Sequence, residues 1–447
     1  MAGNGSRRVT DSRFDAALQV LAELERAGYQ AYLVGGCVRD MLLGKRPEDY
    51  DVATDALPDE VQNLFPRTVP TGIRHGTVSV LIGGERIEVT TFRTEGAYLD
   101  ARRPSEVRFV RSLEQDLARR DFTVNAMAMD RRGHLQDPFD GRRDLREKRI
   151  RAVGEADERF REDALRMLRA IRFAAALRAQ IEERTWQAIR RHAGLMTEIA
   201  RERIRDEWNK MLRADLSISI NYLAASGLLP IVFPDISPRK VKASFAPHQG
   251  GEAARSRYVG TQDFVAERWR QAADFANRLP DKSDLRQAAL FWQLGVDEAT
   301  VQASLRRLRQ PNSFVRSVAA ILRAIPDSDP LTWTAETWRG YLYRHGKQAA
   351  IDAMRILGEA SEADNGKIGR LLDKAIERQP IWSVRDLAVD GQDLIRELQI
   401  PPGPLVGQIL TELTEWTLQH PACNNRQHLL AAARVLYQHW KNGSQKV

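Results

Sequence analysis

The chain has 447 residues, 43% of them hydrophobic and 29% charged, which excludes a disordered or low-complexity protein and leaves room for about two to four domains. Lysine and arginine total 68 against 60 acidic residues, a net charge of +8, which fits either a polyanionic partner or a generally arginine-rich composition. Cys37 and Cys423 have no partner spacing for zinc or a disulfide framework, the N-terminus lacks an apolar signal core, and no stretch nears the ~20 apolar residues of a membrane span. The expectation is a soluble cytoplasmic protein with no membrane partner.

In chain order, residues 12–28 have the apolar spacing of an amphipathic helix closed by Gly28. QAYLVGG reads as a short strand ending in two glycines, and VRDMLLG as a helix closed by Gly44. YDVAT is a second strand, and LPDEVQNLF a helix with Pro58 near its start. TVSVLI and RIEVTTF alternate around GGE, a hairpin signal. SLEQDLARR opens with Ser112 and Gln115 at capping-box spacing, and TVNAMAMD with LQDPF forms a further hairpin around RRGH. From ERFREDALRMLRAIRFAAAL onward nearly everything is helix and turn, with breaks near 234–251, 324–330 and 400–404. The polar segment 235–262 reads as a mobile loop. The fold class expected is an α/β head followed by an all-α remainder.

Chemistry concentrates in the head. Asp49 and Asp51 stand two apart in a strand pattern, so their carboxylates point the same way. Like charges converging on one spot cost free energy unless a cation lies between them, and magnesium takes one or two carboxylates plus substrate phosphate oxygens. Glu88, on RIEVTTF, is a third ligand for a two-metal centre if that strand neighbours YDVAT; a solvated edge with unrelated acids is the plain alternative. Gly35 and Gly36, between strand and helix, let backbone N–H groups approach a polyphosphate, and Arg39 lies one turn further on. Glycine pair, arginine and paired aspartates together point to a nucleoside triphosphate and magnesium. His75, in GIRHGTV, has no placed partner and reads as structural.

YLVGGCVRDMLLG with DYDVAT resembles the class II tRNA nucleotidyltransferases and bacterial poly(A) polymerases, members of the polymerase-β-like nucleotidyltransferase superfamily. RRDFTVNAMAMD (119–130), DPFDGRRDL (137–145), RFREDALRMLRAIRFAAAL (159–177) and RERIRDEWNKML (201–212) match that group in order, and LAVDGQDLI with PPGPLVGQIL is similar to its Gram-positive-type members. The resemblance implies a polymerase-β-like mixed-sheet head over 1–150, a base-recognising helical neck over 151–215, a helical body over 216–330 and a tRNA-binding helical tail over 331–447. It makes Asp49 and Asp51 the catalytic, metal-binding aspartates, with Glu88 the third ligand and Mg2+ the cofactor in a two-metal site. It assigns nucleotide contacts to Gly36, Arg39, Arg120, Asp121, Asp163, Arg166, Arg169 and Arg172, beside the Gly35 turn. The partners it implies are CTP, ATP and the 3′ acceptor end of tRNA, to which C, C and A are added without a template, releasing pyrophosphate.

The spacing of EDALRMLRAIR offers a way to choose those bases. Asp163 and Arg166 are three apart, hence neighbours on one helix face. A carboxylate accepts from the exocyclic amino group of cytosine or adenine, where guanine and uracil present a carbonyl. An adjacent guanidinium donates to the ring nitrogen, so G and U leave buried groups unpaired. Arg169 and Arg172 drift around the helix and read as phosphate, RNA-backbone or packing residues. FRTEGAYLDARRP (92–104) resembles the flexible loop of CCA- and A-adding enzymes that CC-adding enzymes lack. The alternatives are an A-adding specialist, a poly(A) polymerase, or an inactive RNA-binding homologue, against which the retained Asp49/Asp51 pair argues.

Overall fold

The computed structural model describes residues 11–95, 107–236, 241, 262–361 and 365–443. They form two compact units, Met1–Asp235 and Ile236–Val447. Residues 96–104 of the loop resemblance, and the 235–262 segment apart from 235, 236, 241 and 262, lie outside the described residues.

The first unit opens with α1 (Ser12–Arg26), capped by Asp11, whose carboxylate accepts from Phe14 N, and burying Val20, Leu21 and Leu24. β1 (Ala31–Val34) leads through Gly35 into α2 (Gly36–Leu42). β2 (Asp51–Thr54) and α3 (Pro58–Leu64) follow, with Pro58 at the first helical position, where its missing N–H costs nothing. β3 (Thr68–Gly72) has no signal beyond its threonines and valine and escapes the sequence reading. It pairs with β4 (Thr77–Ile82), which forms the expected hairpin with β5 (Glu85–Thr91). Gly83 and Gly84 make that turn with φ of +60° and +82°, which explains why two glycines stand there. A short ribbon, β6 (Arg93–Glu95) with β7 (Val107–Phe109), precedes α4 (Leu113–Ala118), whose Ser112 cap accepts from Gln115 N at 3.4 Å.

β8 (Ala128–Met129) and β9 (Leu135–Gln136) complete a seven-stranded sheet in the order β3-β4-β5-β2-β1-β8-β9. Only β2 and β5 run parallel in it. α5 (Gly141–Arg146) leads to β10 (Arg149–Ile150), α6 (Ala156–Glu162) and α7 (Leu165–Leu177). β11 (Gln180–Ile181) pairs parallel with β10, a small strand element inside the otherwise helical neck. α8 (Glu183–His192), α9 (Arg201–Leu212), α10 (Leu216–Ser226) and α11 (Leu229–Val232) close the unit. Phe122 and Phe160 are wholly buried, and Phe122 meets Phe173 edge-on with centroids 5.8 Å apart. Each such ring is worth about 1.5–3 kcal/mol in removed apolar surface.

The second unit is helical among the described residues, from Gln262–Arg278 to Arg426–Gly443. One core gathers Trp338, Tyr341, Leu342, Met354, Ile368 and Leu372, and another Ile381, Leu394, Ile409, Leu413 and Leu429. No helix among the described residues is long and apolar enough to cross a membrane.

Candidate active site

The sheet register assembles the predicted carboxylates. Val34 lies opposite Asp51, and Asp51 lies opposite Glu88, so the glycine turn after β1, the first residue of β2 and the middle of β5 are neighbours. β2 is central because it is apolar at Val52 and Ala53, both buried, while Asp51 at its open end stays in contact with solvent. Dense protein around Asp51 nevertheless disfavours its charge. That burial, then the negative charges of Glu88 and Asp49, raise its carboxyl above the usual range, and Arg120 opposes them only in part. Asp49 is 85% exposed and 3.4 Å from Arg13 Nη1, whose Nε also reaches Glu85 at 3.2 Å. Glu88 has Arg86 at 3.8 Å.

Among the described residues no three acidic, histidine or cysteine side chains form a ready metal cage, but the register sets Glu88 opposite Asp51, and Asp49 precedes Asp51 by two residues. The donor chemistry fits a hard divalent ion: Asp51 is a carboxylate raised by burial and then by two neighbouring negative charges, and oxygen ligands are what Mg2+ takes.

Gly35 has φ +74° and ψ −129°, a conformation a side chain resists, and a Cβ there would stand 3.0 Å from Arg120 Nη1. Its N–H faces Met127 O at 3.4 Å; the amides at the start of α2 that no helix carbonyl serves are those of Gly36, Cys37 and Val38, since Arg39 N is the first to bond back, to Gly35 O. Arg120 is held in place by Asp116, through Nη2 at 3.1 Å. Asp116 is itself buried and also binds Arg119 at 2.8 Å; burial raises its carboxyl, but the two guanidiniums outweigh that and hold it low. Arg39 donates to Asn125 Oδ1 at 2.7 Å and to Asp40 at 2.9 Å.

Asp121 differs from expectation. It is 8% exposed and receives Arg169 Nε at 2.7 Å, Arg169 Nη2 at 2.6 Å, Phe122 N at 2.8 Å and Asn125 Nδ2 at 3.2 Å. Burial raises its carboxyl, but the Arg169 charge and these donors prevail and hold it below the usual range. Here Asp121 is an anchor for Asn125 and Arg169, and its oxygens are already committed to protein donors.

The Asp163–Arg166 pair also needs correction. The chain does not run as one helix through 163: α6 ends at Glu162, and Asp163 is extended, with φ −146° and ψ 102°. The helical i, i+3 rule therefore fails locally. Asp163 takes Arg203 in a two-pronged bond, 3.0 and 2.7 Å, plus Leu165 N at 3.1 Å. Arg166, 7% exposed, turns to the Glu162 carboxylate and to the carbonyls of Arg159 and Arg119, each 3.3 Å away. Both groups are rigidly held at the helix break, but by separate partners.

Arg169 and Arg172, which drift around the helix in sequence, meet on one aromatic ring, that of Phe173. The guanidinium of Arg172 lies 3.8 Å from its ring centroid, that of Arg169 5.5 Å, and that of Arg39 5.3 Å. Glu207, 3% exposed, binds Arg172 Nε at 2.6 Å. Burial lowers the Arg172 pKa, with Glu207 opposing. For Arg169 burial also lowers, but the charges of Asp121 and Glu207 overcome it and the pKa is raised. One aromatic plate thus links the α2 arginine to the neck arginines.

Sequence reasoning missed Arg13, Asn125, Phe173, Arg203 and Glu207. All but Arg13 lie inside recognisable stretches, yet only contacts across 35 to 134 positions reveal their distant partners. His75 is exposed on the turn Ile73–His75, where its carbonyl accepts from Arg93. Cys37 is buried, donates to Val34 O at 3.2 Å and is pushed up to about 11 by burial, so it is a neutral packing thiol at pH 7.

Residues 31–151 match the Poly A polymerase head domain, 180–239 the probable RNA and SrmB-binding site of polymerase A, and 280–433 the putative tRNA nucleotidyltransferase domain 2. The CCA-adding enzyme of Lactiplantibacillus plantarum is 37% identical over 428 residues, covering 95% of this chain and 97% of the relative. That of Geobacillus stearothermophilus is 38% identical over 420 residues, covering 94% and 96%. The crystal structure of the Bacillus stearothermophilus CCA-adding enzyme in complex with CTP matches with a TM-score of 0.77 at 34% identity, covering 97% of this chain and 100% of that one. The Thermotoga maritima CCA-adding enzyme complexed with tRNA shares the fold, with a TM-score of 0.58 at 21% identity. The sheet register that brings a glycine turn to paired aspartates therefore sits in a chain that belongs to the class II tRNA nucleotidyltransferases, the family of the CCA-adding enzymes.

Proposed function

We propose that this protein adds C, C and A to the 3′ end of tRNA from CTP and ATP. The observation that carries the reading is the juxtaposition of the Gly35–Gly36 turn with Asp51 across β1 and β2, within a chain related over nearly its full length to CCA-adding enzymes. The tRNA 3′-hydroxyl attacks the α-phosphate in line, and pyrophosphate leaves. Asp49 and Asp51, with Glu88 beside them, would hold Mg2+. When bound, the ion lowers the pKa of the attacking hydroxyl and neutralises charge on the phosphates. Gly36 N–H, Arg39 and Arg120 orient the triphosphate, Arg120 being braced by Asp116. Asp121 and Asn125 fix Arg39 and Arg169 rather than touching the nucleotide themselves.

Base choice is assigned to Asp163 and Arg166. In the state described, Arg203 occupies both Asp163 oxygens and Glu162 occupies Arg166. Oδ1 of Asp163 is filled by Arg203 and Leu165 N, but Oδ2 accepts one bond, from Arg203, and keeps a second acceptor position, while the Arg166 guanidinium has five donors, so a base edge can join both without breaking their supports. We assign the 1–150 head to catalysis, the 151–215 neck to base recognition, the 216–330 body to helical support and the 331–447 tail to tRNA binding.

The test uses tRNA transcripts ending at the discriminator base, at C and at CC, each supplied with CTP, ATP or both. Addition of CMP to the first transcript separates a CCA-adding enzyme from an A-adding specialist, which would extend only the transcript ending in CC. Asp51→Ala should lower addition by roughly 10³-fold or more; retained activity would remove Asp51 from the site.

A further inference from the structure

At the C-terminal end of α2 lies a concave cavity of about 480 Å³ that none of the chemistry above uses. Its apolar floor is presented by Leu43, Ala176 and Leu177, with buried Val124 behind them, and its rim carries Lys45, Arg146, Lys148, Arg149 and Arg178. No acidic side chain lines it. Arg149 is paired with Glu147 at 2.6 Å and Arg178 with Asp215 at 3.5 Å. Lys45, Arg146 and Lys148 form no ion pair among the described residues and are exposed.

Two rim cations sit on left-handed backbone, Lys148 with φ +51° and Arg178 with φ +48°. These positions follow α5 and α7, where glycine is the unstrained choice, and a long side chain there costs roughly 1 kcal/mol or more. Strain retained beside unpaired charge points to use rather than to stability. The ends of α2, α5 and α7 converge on the cavity, and their carbonyls carry about half a negative charge each. Three unpaired cations exceed that offset, so the mouth stays positive.

We infer that this cavity binds a ribose–phosphate segment of the tRNA substrate, outside the nucleotide site. The inference rests on the tRNA reading of the preceding section. Lysine and arginine at the rim engage phosphodiester oxygens, and the apolar floor takes the sugar or base face, a division common in RNA grooves. The volume is within the range of pockets that enclose a single small ligand. The floor also reaches the active site: Val124 is next to Asn125, which bridges Arg39 and Asp121.

The test compares the full chain with Lys45→Ala/Arg146→Ala/Lys148→Ala and with a control that removes equal charge from exposed positions of the same unit, Arg132→Ala/Arg184→Ala/Arg190→Ala. The dissociation constant for tRNA lacking its CCA end is measured between about 50 and 200 mM salt, and CTP affinity by calorimetry without tRNA. Three lost phosphate contacts should make the log–log salt slope shallower by about 2, and weaken binding near 0.1 M salt on the order of 100-fold. CTP affinity and turnover at saturating tRNA should stay unchanged. An unchanged slope, an equal loss in the control, or a loss confined to CTP binding would each overturn the inference. Failure of the unaltered protein to extend any tRNA would instead count against the function proposed above, so the two failures are distinct.

Discussion

Replacing Asp121 by asparagine probes the joint between the head and the neck helix. Asp121 accepts two bonds from Arg169, one from Phe122 N and one from Asn125 Nδ2. Asparagine keeps the shape but removes the charge, and its one carbonyl oxygen can serve either Arg169, which uses Oδ2, or Phe122 N and Asn125 Nδ2, which use Oδ1, but not both. Breaking one partner of a fully buried pair costs about 3–5 kcal/mol. Arg169 is 33% exposed, so water recovers part of that, and Glu207 at 3.8 Å remains as a second partner. A loss of about 2–3 kcal/mol follows. For a unit of this size that is a fall in Tm of roughly 5–10 °C, read by calorimetry or thermal fluorescence. The pH dependence is a sharper check. Because the folded pKa of Asp121 is depressed, its stabilisation is fully present above the unfolded value of 3.8 and is lost only as pH falls through the folded value. The gap between the native protein and Asp121→Asn should thus be equal at pH 5 and pH 8. A gap that opens between those two values, or no gap at all, would refute the assignment of Asp121 as a charged anchor.

Gly141→Ala should be costly for a steric reason, since its Cβ would stand 2.1 Å from Thr123 O and 2.9 Å from Met127 Cγ. Moving α5 or the Thr123–Asn125 turn costs about 3 kcal/mol, and displacing Asn125 should raise KM for CTP alongside a lower Tm; wild-type values for both would contradict the packing. Asp163→Ala should blur discrimination of CTP and ATP against GTP and UTP on the order of 100-fold, measured as the ratio of kcat/KM values; unchanged selectivity removes Asp163 from base recognition. Phe173→Leu withdraws the plate shared by Arg39, Arg169 and Arg172. At about 1 kcal/mol per stacked cation, KM for CTP should rise about tenfold, whereas Phe173→Tyr should keep it near the original value.

Local pattern alone carries much of the head. Alternation around GGE specifies the β4–β5 hairpin, Pro58 starts α3, and Gly35 and Gly36 mark the strand-to-helix turn, because each rests on one residue's own backbone preference. The family too is legible, since ordered motifs name the carboxylates and arginines without their geometry. Tertiary structure decided who touches whom. Asp163 and Arg166 look like helical neighbours until the chain breaks at 163, after which Arg203, 40 positions away, takes the carboxylate. Asp121 looks like a nucleotide contact until burial and Arg169 consume its oxygens. The basic cavity draws on α2, α5 and α7 and on left-handed residues at two helix ends, which no periodicity announces. Periodicity and turn chemistry are short-range and survive in one dimension. Charge pairing, desolvation and aromatic stacking depend on distances between residues that only the packed sheet and helices bring together.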